Sequence, residues 1–216
     1  MAYQKYMLLT LLGKVRSLTA IDGQGQFKTV IEEEMPEIIK AFKKYDTAQR
    51  AYRPKLSIVV CGKRHNTRFF PIIADAADNL GNPKPGTVVD QGVTAVYAFD
   101  FFLQAHGGLQ GTTRPTHYFV VHDEIGFTAD ELQKVTNDVS YMFARATKAV
   151  SLVSPAYYAD LACERGRCYI SELFSRSDVG TTVSGANAED QVMRDATRLW
   201  RNGVTGPNLK DSMFYL

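Results

Sequence analysis

The chain has 216 residues, 45% of them apolar, with a formal charge of +2. That length suits one ordinary domain, or part of a larger one, with enough apolar material for a sizeable core. The near balance of charge excludes polyanion recognition by bulk charge, so any such function must rest on local clusters of cations.

Cys61, Cys163 and Cys168 lack metal-ligand spacing and read as free thiols of a reducing compartment. No apolar run approaches the roughly 18 residues of a membrane span. The patch Met7-Leu8-Leu9-Thr10-Leu11-Leu12 is too short for a signal peptide, and Lys14 and Arg16 follow it instead of a cleavage site. The expectation is a soluble, cytoplasmic protein with no membrane partner.

In chain order, Phe27, Val30, Ile31, Ile38 and Phe42 recur at helical spacing, with Glu32, Glu33, Lys40, Lys43 and Lys44 mostly off that stripe. A helix over 27–45 follows, with a kink expected at Pro36. Arg53-Pro54 then breaks the chain before an apolar run at 56–61 that reads as a buried strand. Residues 79–86 carry Pro and Gly turn signals and read as a loop; the glycines at 81 and 86 lack the lysine of a phosphate-binding P-loop. Strands are expected at 87–90, 97–103 and 117–122, the last two separated by a glycine-rich loop at 107–111. Thr128-Ala129-Asp130-Glu131 is a capping box opening a helix to about residue 147. Pro155 suits the first turn of another helix, to about residue 168. Residues 175–187 are polar and read as mobile, and a last amphipathic helix is expected over 189–201. The pattern as a whole is α/β, without the regular alternation of a doubly wound fold.

Three clusters carry chemistry. Lys63, Arg64, His65 and Arg68 lie just past the strand at 56–61 and are followed by Phe69 and Phe70. Point charges mixed with planar guanidiniums are the donor set that phosphate contacts need; the alternative is a solvated strand-end loop. His106, Gln110, Thr112, Thr113 and Arg114 sit in or beside the glycine-rich loop, where small residues let backbone N–H groups approach a phosphate; the alternative is an ordinary sheet connection. Arg145 and Lys148 are expected at the C-terminal end of the capped helix, where cations suit the helix dipole. The third cluster is Pro155-Ala156-Tyr157-Tyr158-Ala159-Asp160, with Arg165 and Arg167 beyond it. On a helix neither arginine stands three or four residues from Asp160, so the carboxylate is expected to be left for a cation and the arginines for phosphates. His122-Asp123-Glu124 reads as an exposed polar turn in preference to a metal cluster. Asp90 precedes a loop and is given no catalytic part.

Taken together, Gly62-Lys63-Arg64-His65-Asn66-Thr67-Arg68-Phe69-Phe70, His106-Gly107-Gly108-Leu109-Gln110-Gly111-Thr112-Thr113-Arg114-Pro115-Thr116-His117-Tyr118 and Pro155-Ala156-Tyr157-Tyr158-Ala159-Asp160 closely resemble the second half of the PIWI domain of eukaryotic Argonaute proteins. The resemblance runs from about Gly25 to Leu216 and leaves residues 1–24 unmatched. It implies an RNase H-like PIWI domain, N-terminally truncated, working in RNA-mediated gene silencing. The partners it implies are a small guide RNA, its target RNA, and a MID domain or other preceding part of an Argonaute. It also implies guide-backbone contacts by Lys63, Arg64, His65, Arg68, His106, Gln110, Arg114, Arg145, Lys148 and Arg165, with Leu216 near the guide's 5′ end.

The same resemblance makes Asp160 a ligand of a two-ion Mg²⁺ (or Mn²⁺) centre, at the position where the family carries histidine or aspartate. Hard carboxylate oxygens suit such ions. The family's first aspartate and its mobile glutamate lie upstream of anything matched here. Its second aspartate falls in Arg-Asp-Gly-Val-Ser-Glu-Gly-Gln-Phe. This chain has Ile21-Asp22-Gly23-Gln24-Gly25-Gln26-Phe27, two residues shorter, so Asp22 is the corresponding candidate. The expectation is an RNA-binding module with an incomplete catalytic site, inactive alone. The alternatives are a metal-dependent endoribonuclease using Asp160, and a non-functional fragment of a larger Argonaute.

Overall fold

The computed structural model describes residues 6–11, 16–21 and 27–169, together with Arg194, Asp195, Arg198, Met213 and Tyr215. One six-stranded sheet organises it, in the order β1-β2-β3-β6-β5-β4. β1 (Tyr6–Leu11) and β2 (Arg16–Ile21) pair antiparallel, so the apolar patch at the N-terminus is strand. β2 runs parallel to β3 (Lys55–Gly62), which forces a long crossover between them. That crossover is helical.

Pro36 shapes it. The sequence predicts one kinked helix; the structure instead divides the segment into α1 (Phe27–Thr29), a π turn (Val30–Glu34), α2 (Met35–Phe42) and a 3₁₀ turn (Lys43–Tyr45). Met35 N–H bonds back to the carbonyl of Val30, five residues earlier. Pro36 has no N–H to give, and its ring would crowd the carbonyl four residues before it, so the widened turn lets the helix resume instead of breaking. Val30 and Phe42 then pack with Leu56, Ile58 and Val60 on one face of the sheet, and Phe27 stacks on Phe119 at 3.9 Å between ring centroids.

β3 is buried along nearly its whole length, as its unbroken apolar run requires of a strand covered on both faces. Beside it lie β6 (Thr116–Asp123), β5 (Asp100–Gln104) and the short edge strand β4 (Thr87–Val89), all paired antiparallel. Val59, Cys61, Phe101, Leu103 and Tyr118 form the other face and pack with Leu132 and Val139 of α3 (Ala129–Ser140) and with Leu152, Val153 and Ala156. Alternation along β5 and β6 sends Phe101 and Tyr118 to this core and Phe102 and His117 to the opposite face.

Two boundaries differ from the sequence reading. β5 begins at Asp100 and not at residue 97: Tyr97 is fully exposed, and Asp100 accepts the Ala95 N–H at 2.8 Å, closing a turn ahead of the strand. α3 opens on the expected capping box, Thr128 with Glu131, but stops at Ser140. Its last turns are Thr136-Asn137-Asp138-Val139-Ser140, weak helix formers, and the Thr136 and Ser140 hydroxyls bond back to carbonyls four residues earlier. The Ser140 carbonyl is then satisfied by Val150 N–H at 3.0 Å as the chain turns back.

By contacts the chain divides into two units, 1–157 and 158–216. The boundary falls inside α4 (Ser154–Tyr169), which carries Asp160 and Arg165. In the second unit, Tyr215 meets Tyr158 edge-on at 6.5 Å. The polar segment 175–187 lies outside the described residues, as does the helix expected over 189–201 except for Arg194, Asp195 and Arg198, which are helical. No helix among the described residues is long and apolar enough to cross a membrane.

Candidate nucleic-acid interface

β3 ends at Gly62 and delivers Lys63, Arg64, His65 and Arg68 at one edge of the sheet. Lys63 is half-buried and its ammonium donates to the Ser151 hydroxyl, while the Thr116 hydroxyl donates to the Ser151 carbonyl. His65 Nε2 donates to the Pro115 carbonyl at 2.9 Å, and its Nδ1 accepts from Thr67 N–H at 3.2 Å. These bonds tie together three segments that are remote in sequence: the 63–68 loop, the 106–115 loop, and the 141–153 connection bearing Arg145 and Lys148.

Aromatic rings support the arrangement. Phe102 stacks on His117 at 4.4 Å, and His65 and Phe69 each meet Phe102 edge-on at 5.4 Å. His117 Nε2 lies 2.6 Å from the buried Asp100 carboxylate, which fixes its ring. Sequence reasoning placed none of Asp100, Phe102, His117 or Ser151 in the site. The alternation of Asp100, Phe102 and Gln104 on one strand face was the available signal.

Electrostatics mark Lys63, His106 and Arg114 as a group short of anions. Burial, and then the charge of Arg114, hold the Lys63 ammonium below its usual range. Burial, and then the charge of Lys63, push His106 down to about 4, so its imidazole is neutral near pH 7. Lys63, Arg114 and His106 are therefore within charge reach of one another, and among the described residues Arg114 enters no ion pair. Gln104 Nε2 donates to the His106 carbonyl at 2.6 Å and lies 3.3 Å from its Nδ1, which leaves Nε2–H as the donor. A phosphate among these groups would satisfy that donor and relieve the repulsion.

The sequence-derived residues are not equivalent here. Arg64, Gln110, Thr112, Arg114, Arg145 and Lys148 are exposed and can reach a ligand. Arg68 is half-buried and donates Nη1 to its own loop, at 2.8 Å to the Thr67 carbonyl. His65 has both ring nitrogens engaged by protein, so its place is to lock two loops together and not to donate to a phosphate. The Thr113 hydroxyl is buried without a hydrogen-bond partner, turned in beneath the loop. Arg145 and Lys148 follow α3 in the irregular 141–153 segment instead of ending the helix, for the reasons given above.

Asp160 is half-buried on α4 and is not the bare carboxylate expected, since it takes part in hydrogen bonding or charge interaction. Arg165 is exposed on the same helix. Asp22 and Leu216 lie outside the described residues. Among the described residues no group of three or more His, Cys, Asp or Glu side chains could hold a metal ion. A two-ion centre needs several carboxylates to gather its charge, so the described donors do not fit one. The His122-Asp123-Glu124 run is structural. His122 pairs with Glu124 at 3.1 Å, and Asp123 accepts the N–H groups of Ile125, Gly126 and Phe127.

A mixed sheet covered by helices on both faces, with cations gathered in the loops at one edge, defines an α/β class of fold. Residues 21–171 match the Piwi domain family, and the chain belongs to that family. It is 42% identical over 196 residues to the rice protein argonaute MEL1 (Oryza sativa subsp. japonica), covering 89% of this chain and 18% of that protein. Among solved structures it resembles the C-terminal lobe of a budding yeast Argonaute, with a TM-score of 0.74, 34% identity, and 90% of this chain and 38% of that one covered. It also resembles Kluyveromyces polysporus Argonaute with a guide RNA, with a TM-score of 0.73, 34% identity, and 90% and 23% covered. The chain thus spans about a fifth of the length of the curated relative.

Proposed function

We propose that this chain is an RNA-binding Argonaute PIWI module that holds a guide RNA by its phosphate backbone in RNA-mediated gene silencing. The observation that carries this reading is the tying of three basic segments together, by Lys63 on Ser151 and His65 on Pro115. Lys63, Arg64, Arg114 and neutral His106 supply donors to phosphate oxygens; Arg68, Gln110, Thr112, Arg145 and Lys148 extend the same track. Contacts to phosphate carry no base information, so binding is sequence-independent and falls steeply with salt. Arg165 and Leu216, with a MID domain, are assigned to the guide's 5′ end. The catalytic site is incomplete in this reading, and Asp160 would be a Mg²⁺ ligand only where further carboxylates complete the centre. That the complex of guide and Kluyveromyces polysporus Argonaute shares this fold supports the RNA assignment.

The test is a binding titration of the 216-residue chain with unrelated single-stranded RNAs at several salt concentrations. The double substitution Arg64→Ala with Arg114→Ala should weaken every RNA by a similar factor and flatten the salt slope by about 1.4, or about 0.7 for each arginine–phosphate pair removed. Unchanged binding in that variant would remove the surface from consideration.

A further inference from the structure

The loop at 79–86 carries no donor assigned to RNA, yet it grips the loop that does. Asn82 is 2% exposed. Its Nδ2 donates to the Gly111 carbonyl at 3.0 Å, and its Oδ1 accepts the Thr113 N–H at 2.8 Å. One buried amide therefore holds the backbone on both sides of Thr112, where no strand partner is available to do so. Gly111 adopts φ +65°, a turn that this grip stabilises and that glycine adopts without strain.

Asn82 is itself fixed. The Asp78 carboxylate accepts the N–H groups of Leu80 and Asn82, each at 2.8 Å, and Asp78 N–H donates to the Asn82 carbonyl at 2.7 Å. Backbone N–H groups of Asn82, then of Leu80 and last of Gly108, hold the Asp78 carboxyl below its usual range, so the glycine loop lies within charge reach of the same turn. The fit is close. A Cβ added at Gly108 would stand 2.8 Å from Asn82 Nδ2 and 2.8 Å from Thr113 Cγ2. Arg114 follows Thr113 directly, so whatever fixes the backbone at 113 fixes the origin of the Arg114 side chain.

We propose that Asp78 and Asn82 form a positioning clasp, with Asn82 setting the backbone that aims Arg114 at an RNA phosphate. The proposal rests on the RNA-backbone reading above and adds to it two residues that touch no RNA. Asn82 acts through Arg114, so removing its amide is felt at the Arg114 phosphate while the cations of the 63–68 loop continue to bind.

The experiment is a double-mutant cycle read by RNA binding, using the 216-residue chain and a single-stranded RNA, with Asn82→Ala, Arg114→Ala, Arg64→Ala and their pairs. Asn82→Ala should weaken binding about five- to tenfold and flatten the salt slope by about 0.7, the share of one phosphate. Combined with Arg114→Ala it should add almost nothing, because the arginine it aims is already gone; combined with Arg64→Ala the two effects should multiply. General destabilisation would multiply with both arginine substitutions alike, and that result would overturn the clasp. Wild-type binding by Asn82→Ala, with Arg114→Ala weakened, would overturn the clasp and leave the RNA reading standing. No effect from either arginine substitution would overturn both. Gly108→Ala perturbs the clasp from the other side and enters the same cycle if Asn82→Ala does not fold.

Discussion

His106 should make the fold sensitive to acid, by an amount that follows from its surroundings. Burial and the Lys63 charge bring its pKa from the ordinary 6.5 to about 4. The folded protein thus holds a neutral imidazole where the unfolded chain binds a proton. The stability this contributes is complete above the unfolded pKa and is lost as pH falls from there toward about 4. At about pH 5.5 linkage gives a loss of about 1.4 kcal/mol relative to pH 8, reduced to about 1 kcal/mol because the ring keeps some contact with solvent. His106→Gln removes the titration and keeps an amide donor. Urea unfolding of both proteins at pH 8 and pH 5.5 should therefore show the variant losing about 1 kcal/mol less on acidification, or about 2–4 °C in melting temperature. His65 is also held below its usual range, by burial, but it is present in both proteins and cancels. An equal or larger acid loss in His106→Gln would refute the reasoning. Bound RNA should blunt the difference, because a phosphate beside the ring favours the imidazolium.

Other substitutions test the remaining steps. Thr128→Ala removes the side-chain half of the capping box on α3 and should cost about 1 kcal/mol in unfolding free energy, measured by denaturant titration. Phe101→Ala empties a fully buried site between the sheet and the helices that cover it and should cost about 3–5 kcal/mol; a loss under about 1 kcal/mol would contradict the packing described. The purified chain, given a guide–target RNA duplex and Mg²⁺ or Mn²⁺, should yield no site-specific product on a denaturing gel, because Asp160 is the one assigned ligand within the described residues. Cleavage that disappears in Asp160→Ala would establish a working centre and reverse that expectation.

The relation between sequence and site is uneven, and particular residues show why. Capping of α3 by Thr128 and Glu131, burial of β3 and the turn at 79–86 follow from local chemistry: hydroxyl and carboxylate spacing, an unbroken apolar run, and Pro and Gly backbone preferences. These are interactions between near neighbours, so the order of residues is enough to specify them. The Argonaute resemblance was legible for the same kind of reason, since its motifs are contiguous.

What the order of residues could not specify is which distant groups meet. Asn82 reads in the sequence as one residue of a Pro- and Gly-marked loop, and only the fold makes its amide a bridge between Gly111 and Thr113. His65 reads as one more cation, and its partner Pro115, fifty residues away, makes it a lock. Lys63 acquires its depressed pKa from burial and from Arg114, neither of which spacing along the chain encodes. Propensity acts over a few residues, whereas desolvation and side-chain pairing depend on distances that exist only once the sheet has brought the loops together. Sequence alone determined the fold class and the chemical kinds of group available; tertiary structure decided which of them stay exposed and which hold the others in place.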